Sequence, residues 1–433
     1  MSMQLRPLDV KLAEAVASGN AVFVGILLED GACLDGSEAH RPLLTAVFNR
    51  QQAVARMLLE KGADASAACR ISNSDQTHHR LRHLGPPYDG QLCFTGETPL
   101  HIAVCDRITS TVRLLLAFGA NPNAKNNEGM TPLMLVATEW YAPNAKALLE
   151  AGADPLELDL DGYTALHRAA LDGVTDAVRW LASIAPSTVN ALTLQGKSAL
   201  HFAAREGHAD TVSCLLAAGA KHTWAMSPDY CPLGGAVVQG HVEVVRALIA
   251  HGLDAIRGAA TVVPLAVAAA ITFGSVRILR MLLDCTGEED REKWIHASRA
   301  LAGPVLHYAA GYIVPGPVSA LLAVGADVTA TDGAGQRAID VIGTMDRDHP
   351  PLSPLYPRVP TRFRDPMKEA EIRRTLLRAP AFRALSFAWP AVTAGPAAAP
   401  EKRPAVAPLS VRIYRPESGT FLAGLLWRYS RKN

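Results

Sequence analysis

Apolar residues recur along this chain at helical spacing in short blocks, and polar turns separate the blocks. Val212, Leu215 and Leu216, for example, fall on one side of a helix. Many blocks end at a glycine, which adopts the left-handed conformation just past a helix end at little cost. These glycines are Gly31, Gly62, Gly119, Gly152, Gly219, Gly252 and Gly325. The pattern therefore predicts an all-α chain of short helices joined by polar loops.

A repeated phrase opens the first helix of four predicted pairs. It reads Thr98-Pro99-Leu100-His101, Thr131-Pro132-Leu133-Met134, Thr164-Ala165-Leu166-His167 and Ser198-Ala199-Leu200-His201. Thr or Ser caps a helix by accepting a backbone N–H, and Pro suits the first helical position. Leucine-type anchors stand at steps of 33, 33, 34, 33, 32, 41 and 33, namely Leu100, Leu133, Leu166, Leu200, Leu233, Leu265, Leu306 and Ile339. Spacing this regular indicates an internal structural repeat.

This period and the Thr-Pro-Leu-His phrase resemble the ankyrin repeat family over about residues 5–380. The resemblance implies an ankyrin-repeat solenoid of about ten helix-turn-helix units, each stabilised by its neighbours. The first two units lack the opening phrase. The last is interrupted: residues 336–341 open it, and residues 369–378 form its predicted second helix.

We expect one ankyrin repeat domain over residues 5–383 and a tail over residues 384–433. Three inserts are expected in the domain, near residues 69–95, 285–299 and 346–366. The third cannot be a helix because it carries six prolines: Pro350, Pro351, Pro354, Pro357, Pro360 and Pro366. Inserts in solenoids often lie on the binding face, but a tolerated surface loop is an equally good explanation.

The tail is predicted to be largely disordered, since residues 389–409 are mostly Ala and Pro. Its last segment, residues 421–432, combines an apolar stripe with Arg428, Arg431 and Lys432. Three interpretations stay open for this segment: a disordered terminus, a docking peptide and a membrane-surface helix.

Composition narrows the class of protein. Residues 1–349 carry 27 Lys/Arg against 36 Asp/Glu, and residues 350–433 carry 15 against 5. No nucleic-acid-binding motif accompanies the basic end, so we do not expect a nucleic-acid partner. No run of about 18 apolar residues exists, so no transmembrane segment is predicted. Seven scattered cysteines favour a reducing compartment, and we expect the cytoplasm or the nucleus.

Catalytic chemistry finds little support in the sequence. His101, His167, His201 and His307 share one slot of the phrase, and by the resemblance they tie the helix start to its loop. No phosphate-binding glycine loop or nucleophile elbow is present. We therefore predict no enzyme and no cofactor.

One insert carries potential zinc ligands, namely Cys69, His78, His79, His83 and Cys93. Its two cysteines stand far apart rather than as a close pair, which fits no familiar zinc-finger spacing. A loop with incidental histidines explains the cluster better, and we predict no metal site.

The resemblance also implies which positions contact a target, because the variable residues beside the phrase do so in the family. Carried onto this chain, they are Asn127, Glu128, Met130, Thr138, Glu139, Trp140, Tyr141, Leu160, Asp161, Tyr163, Leu171, Asp172, Gln195, Lys197, Arg205, Glu206, Tyr230, Val238 and Gln239. Exposed aromatic residues are common binding hot spots, but Trp140 could equally fill a gap between units. The mixed chemistry of this set favours a protein or peptide over a small molecule.

The predicted function is that of a monomeric, non-enzymatic scaffold or adaptor that binds a protein segment on the concave face of the repeats. The alternative is a substrate-recruiting subunit of a larger complex, such as a ubiquitin ligase, engaged through the C-terminal segment.

Overall fold

The computed structural model describes residues 7–35, 41–68, 96–221, 231–258, 262–284, 305–343 and 365–379. Helices dominate these ranges, and most of them form consecutive pairs. The first six pairs are α1 (Pro7–Ser18) with α2 (Ala21–Glu29), α3 (Pro42–Phe48) with α4 (Gln52–Glu60), α5 (Pro99–Cys105) with α6 (Thr109–Ala117), α7 (Pro132–Thr138) with α8 (Ala142–Glu150), α9 (Ala165–Leu171) with α10 (Thr175–Ile184), and α11 (Ala199–Glu206) with α12 (Ala209–Ala217). They are followed by α13 (Pro232–Gln239) with α14 (Val242–Gly258), α15 (Val262–Thr272) with α16 (Val276–Asp284), α17 (Val305–Gly311) with α18 (Pro315–Ala323), and a single helix α19 (Pro366–Arg378).

The helices of residues 7–379 pack in two layers. The first helix of each pair contacts the first helix of the neighbouring pair. These first helices are α1, α3, α5, α7, α9, α11, α13, α15 and α17. The second helices form the other layer, in which α10, α12, α14, α16, α18 and α19 contact one another in order. Within the described ranges the only β-structure is an isolated bridge between Thr331 and Arg337. The predicted all-α fold of stacked helix pairs is therefore confirmed.

The repeated leucines form the core between the layers. Leu100, Leu133, Leu166, Leu200, Leu233 and Leu306 are each at most 1% exposed, and Ile339 is also buried. The side chain of Leu265 lies outside the described residues. Burying a leucine side chain stabilises the folded state by about 1.5–3 kcal/mol, so these anchors hold successive units together.

Most of the predicted helix ends are present. Gly31, Gly62, Gly119, Gly152, Gly219 and Gly325 all have φ between 83° and 95°. The prediction that a helix ends at Gly252 is wrong, because α14 continues through it to Gly258. A glycine inside a helix costs only about 1 kcal/mol, and the residues that follow include the good helix formers Leu253, Ala255 and Arg257.

The last unit is incomplete among the described residues. Residues 338–343 form turns and a bend rather than a first helix. The predicted second helix is present as α19, which begins at Pro366, and its Ile372 and Leu376 are buried. The inserts at 69–95 and 285–299, nearly all of the insert at 346–366, and the tail lie outside the described residues. So does the cluster of Cys69, His78, His79, His83 and Cys93.

Candidate partner-binding site

Three loops precede the helices α7, α9 and α11, and we call them finger 1 (residues 120–131), finger 2 (residues 153–164) and finger 3 (residues 185–198). One polar side chain closes the tip of finger 1. The Oδ1 atom of Asn126 accepts hydrogen bonds from the backbone N–H groups of Glu128 (3.0 Å) and Met130 (2.9 Å). Such Asx-type bonds fix a tight turn without help from other elements.

Finger 2 closes in the same way with a carboxylate. Asp159 Oδ1 accepts from the backbone N–H groups of Asp161 (3.0 Å) and Tyr163 (2.8 Å). Its Oδ2 accepts from Arg168 Nε at 2.8 Å and also from Arg168 Nη2. The Asp159 side chain is fully buried and that of Arg168 is 8% exposed, so this is a buried ion pair. The guanidinium also lies 4.5 Å from the centroid of the Tyr163 ring, in cation–π geometry.

Neighbouring fingers are joined through their backbones. The N–H of Leu160 donates to the carbonyl of Glu128 (3.2 Å), and that of Leu194 donates to the carbonyl of Asp161 (3.4 Å). Gly129 allows this approach because its φ is +74° and a Cβ there would lie 2.7 Å from the Leu160 nitrogen. The three tips therefore form one continuous surface.

The repeated histidines also join units, and they do so from buried positions. The N–H of Thr164 donates to His167 Nδ1 (3.2 Å), which leaves the proton on Nε2 to bond the carbonyl of Ala191 (3.1 Å). Burial lowers the pKa of His167 to about 4, so the ring is neutral near pH 7. The predicted contact of this histidine with its local turn is confirmed.

A second set of candidate residues lies at the turns after α7, α9, α11 and α13. His208 Nε2 bonds the carbonyl of Leu171 (3.1 Å), and His241 Nε2 bonds that of Arg205 (2.9 Å). Arg107 donates similarly to the carbonyl of Glu139 (2.7 Å). We call the candidate residues at these turns the turn group: Thr138, Glu139, Trp140, Tyr141, Leu171, Asp172, Arg205, Glu206, Val238 and Gln239. A seven-residue helix is about 10 Å long, which separates the turn group from the finger tips.

The structure leaves most of the predicted contact residues accessible. The exposed ones are Asn127, Leu160, Asp161, Asp172, Gln195, Arg205, Glu206 and Gln239. The half-exposed ones are Glu128, Thr138, Glu139, Trp140, Tyr141, Tyr163, Leu171, Lys197 and Val238. The prediction that Met130 contacts a partner is wrong, because this residue is 3% exposed and belongs to the core beneath finger 1. Tyr230 lies outside the described residues.

Two aromatic candidates have structural contacts. Tyr163 packs on Phe202 of the next unit with ring centroids 4.9 Å apart, and burial raises its pKa. Trp140 packs on Trp180 with centroids 5.2 Å apart. This contact supports the gap-filling interpretation of Trp140, since it bridges two units.

Sequence reasoning missed several exposed leucines on fingers 2 and 3. Leu156, Leu158, Leu160, Leu192 and Leu194 are between 44% and 75% exposed, and we call them the leucine ridge. The signal was present as an alternation, because Leu156, Leu158 and Leu160 occupy every second position and are exposed, whereas Asp159 between them is buried. Only Leu160 was among the predicted contacts.

The site lacks features of a metal centre. Among the described residues, no group of three or more His, Cys, Asp or Glu side chains could hold a metal ion. No helix in the described ranges is long and apolar enough to cross a membrane. The arrangement is a surface of mixed chemistry on a regular scaffold.

Comparisons with known proteins agree with this geometry. Residues 66–159 and 142–226 match the family model of ankyrin repeats in three copies. A mitochondrial disaggregase from Bos taurus is 36% identical over 141 residues, covering 29% of this chain and 20% of that protein. A putative E3 ubiquitin-protein ligase, XBAT35 from Arabidopsis thaliana, is 32% identical over 125 residues, covering 28% and 22%. Rabankyrin-5 from Mus musculus is 31% identical over 88 residues, covering 20% and 6%. The chain thus spans less than a quarter of the length of each of these relatives.

Proposed function

The chain contains ankyrin repeats, and from that premise we propose that it is a non-enzymatic scaffold or adaptor that binds a protein segment. The binding face would be the finger tips together with the turn group, on the concave side expected of an ankyrin solenoid. We further propose that it acts as a monomer in the cytoplasm or nucleus, with neither a nucleic acid nor a cofactor as partner.

One observation carries this proposal. The backbones of fingers 1 to 3 are hydrogen-bonded to one another, and the side chains that project from them are exposed and chemically varied. A surface whose backbone is already ordered loses little conformational entropy on binding. Such preorganisation favours recognition of a partner segment.

The proposal is tested by reversing charges in the turn group. Asp172→Lys combined with Glu206→Lys should abolish capture of the chain's partners from a cell extract, measured by quantitative affinity capture. The matched control is Asp176→Lys with Asp210→Lys, which reverses two exposed carboxylates on the second helices α10 and α12. Equal capture by both double variants, each folded by circular dichroism, would contradict the use of this face.

A second candidate function is recruitment of substrates to a larger assembly. It is supported by the resemblance to a protein named as a putative E3 ubiquitin-protein ligase, although the matched region is confined to 28% of this chain. In this case the C-terminal segment would engage the assembly while the repeats hold the substrate. Removing residues 385–433 should then release a distinct subset of captured proteins, and an unchanged set would exclude this role.

A further inference from the structure

We propose that the leucine ridge binds a segment of a protein partner that combines apolar side chains with lysine or arginine. This inference rests on the proposed function and names the chemistry of its partner. It begins from the ridge itself, where five leucines project from two adjacent fingers.

The ridge is a local exception among the fingers. The positions occupied by Leu156, Leu158 and Leu160 in finger 2 hold Asn123, Lys125 and Asn127 in finger 1. Loops that face only water are normally polar, and a contiguous apolar patch with polar surroundings marks an interaction site.

Leu160 and Leu194, one from each finger, lie on adjacent finger tips. Leu194 lies against Gly162, since a Cβ on that glycine would come within 2.9 Å of the Leu194 Cγ. Leu160 lies just before that glycine on the neighbouring tip, and it is 70% exposed while Leu194 is 75% exposed. Their positions are set by the backbone, so a partner would meet a fixed apolar strip.

The charges beside the strip are mainly negative. Glu128 and Asp161 flank Leu160, and neither forms an ion pair within the part of the chain that the structure describes. Two cations lie nearby: Lys125 is engaged by Glu157 at 2.7 Å, and Lys197 follows the tip of finger 3. The carboxylates without an ion pair therefore lie at the neighbouring tips of fingers 1 and 2.

Charge complementarity thus selects the partner. An apolar segment would cover the leucines, and a lysine or arginine within it would face Glu128 and Asp161. The acidic balance of residues 1–349, with 36 acidic against 27 basic side chains, would also attract such a segment.

A random peptide library of about twelve residues, displayed on phage and selected on the full chain, tests this inference. We expect the enriched peptides to contain at least two large apolar residues and at least one Lys or Arg. Enrichment of acidic or wholly polar peptides, or no enrichment, would overturn the proposal.

The best peptide is then synthesised and its affinity measured by calorimetry. Leu160→Ser combined with Leu194→Ser should weaken binding at least about tenfold, because two apolar contacts are lost. The matched control, Val22→Ser with Ile26→Ser, removes two other exposed apolar side chains on α2, which are 76% and 49% exposed, and should bind as the original chain does. Glu128→Lys with Asp161→Lys should also weaken binding, and less so at high salt.

The outcomes separate this inference from the proposed function. A peptide that loses affinity for the Asp172→Lys, Glu206→Lys variant but not for the ridge variant would overturn the ridge and leave the proposed function intact. Peptide binding that survives both the ridge variant and the Asp172→Lys, Glu206→Lys variant would contradict both this inference and the proposed function. If the ridge were instead covered by a second copy of the chain, sedimentation would show a dimer that the ridge variant converts to a monomer, which would also overturn the proposal.

Discussion

Fingers 1 and 2 follow the same backbone course one repeat apart, yet a neutral side chain closes the first turn and a charged side chain closes the second. Finger 1 closes on the neutral amide of Asn126, and the first helix behind it carries the buried Leu135. Finger 2 closes on the carboxylate of Asp159, and Arg168 occupies the place of Leu135. An amide needs no counterion, whereas a buried carboxylate does.

The difference extends to the outer side of each finger. Finger 1 presents Asn123, Lys125 and Asn127, while finger 2 presents three leucines. Finger 2 therefore has a charge inside and apolar groups outside, the reverse of what stability alone favours. A repeat can keep its fold with either arrangement, and the departure in finger 2 marks the place where we expect binding to occur.

The largest expected effect comes from breaking the ion pair of finger 2. Arg168→Leu leaves Asp159 buried without its counterion, and we expect a loss of about 3–5 kcal/mol in the free energy of unfolding. Urea denaturation monitored by circular dichroism measures this loss.

The control converts finger 2 to the chemistry of finger 1. Arg168→Leu combined with Asp159→Asn should recover most of the stability, because the buried charge is gone and the amide can accept the same backbone bonds. A loss below about 1 kcal/mol in the single variant would show that water reaches Asp159 and that the pair is not buried.

The next prediction concerns the pH dependence of the unfolding free energy, to which the two units should contribute differently. In the preceding unit Met134 occupies the position equivalent to His167, and the Met134 sulfur accepts a hydrogen bond from the N–H of Thr131 at 3.4 Å. Because the pKa of His167 falls from 6.5 to about 4 on folding, the unfolded chain takes up this proton first. The stability due to the neutral ring is present above about pH 6.5 and is lost as the pH falls toward 4, by about 3 kcal/mol in total.

His167→Met should remove this part of the pH dependence. At pH 7 the variant loses the bond to the carbonyl of Ala191, which costs about 1 kcal/mol. As the pH is lowered to 4, its unfolding free energy should fall by about 3 kcal/mol less than that of the original chain. Urea curves of both chains at pH 7, 6, 5 and 4 give the comparison. If the unfolding free energy had the same pH dependence in both chains, the pKa of His167 would not change on folding.

The sequence predicted the repeat, the buried leucines and most helix ends, because these depend on contacts that recur in every unit. It failed where a unit departs from the common pattern. Gly252 lies within α14, and Met130 is a core residue, although the same position in the next unit, Tyr163, is half-exposed. The Arg168–Asp159 pair joins residues whose separate positions look like ordinary variable and turn sites. Only three-dimensional packing shows that they meet.

The smallest effect concerns the bridge between the two fingers. Lys125 of finger 1 reaches Glu157 of finger 2 at 2.7 Å and the carbonyl of Leu158 at 2.8 Å, and both side chains are partly exposed. Lys125→Met keeps the aliphatic stem and removes the charge, so we expect a loss below about 1 kcal/mol that shrinks at high salt. A loss above about 2 kcal/mol in urea denaturation would show that the bridge is shielded from solvent.

The same Lys125→Met variant frees the carboxylate of Glu157 beside the leucine ridge, so a basic apolar peptide should bind the variant more tightly than it binds the original chain. Weaker binding would instead mean that Lys125 holds finger 2 in its binding conformation, which would make finger 1 a part of the site.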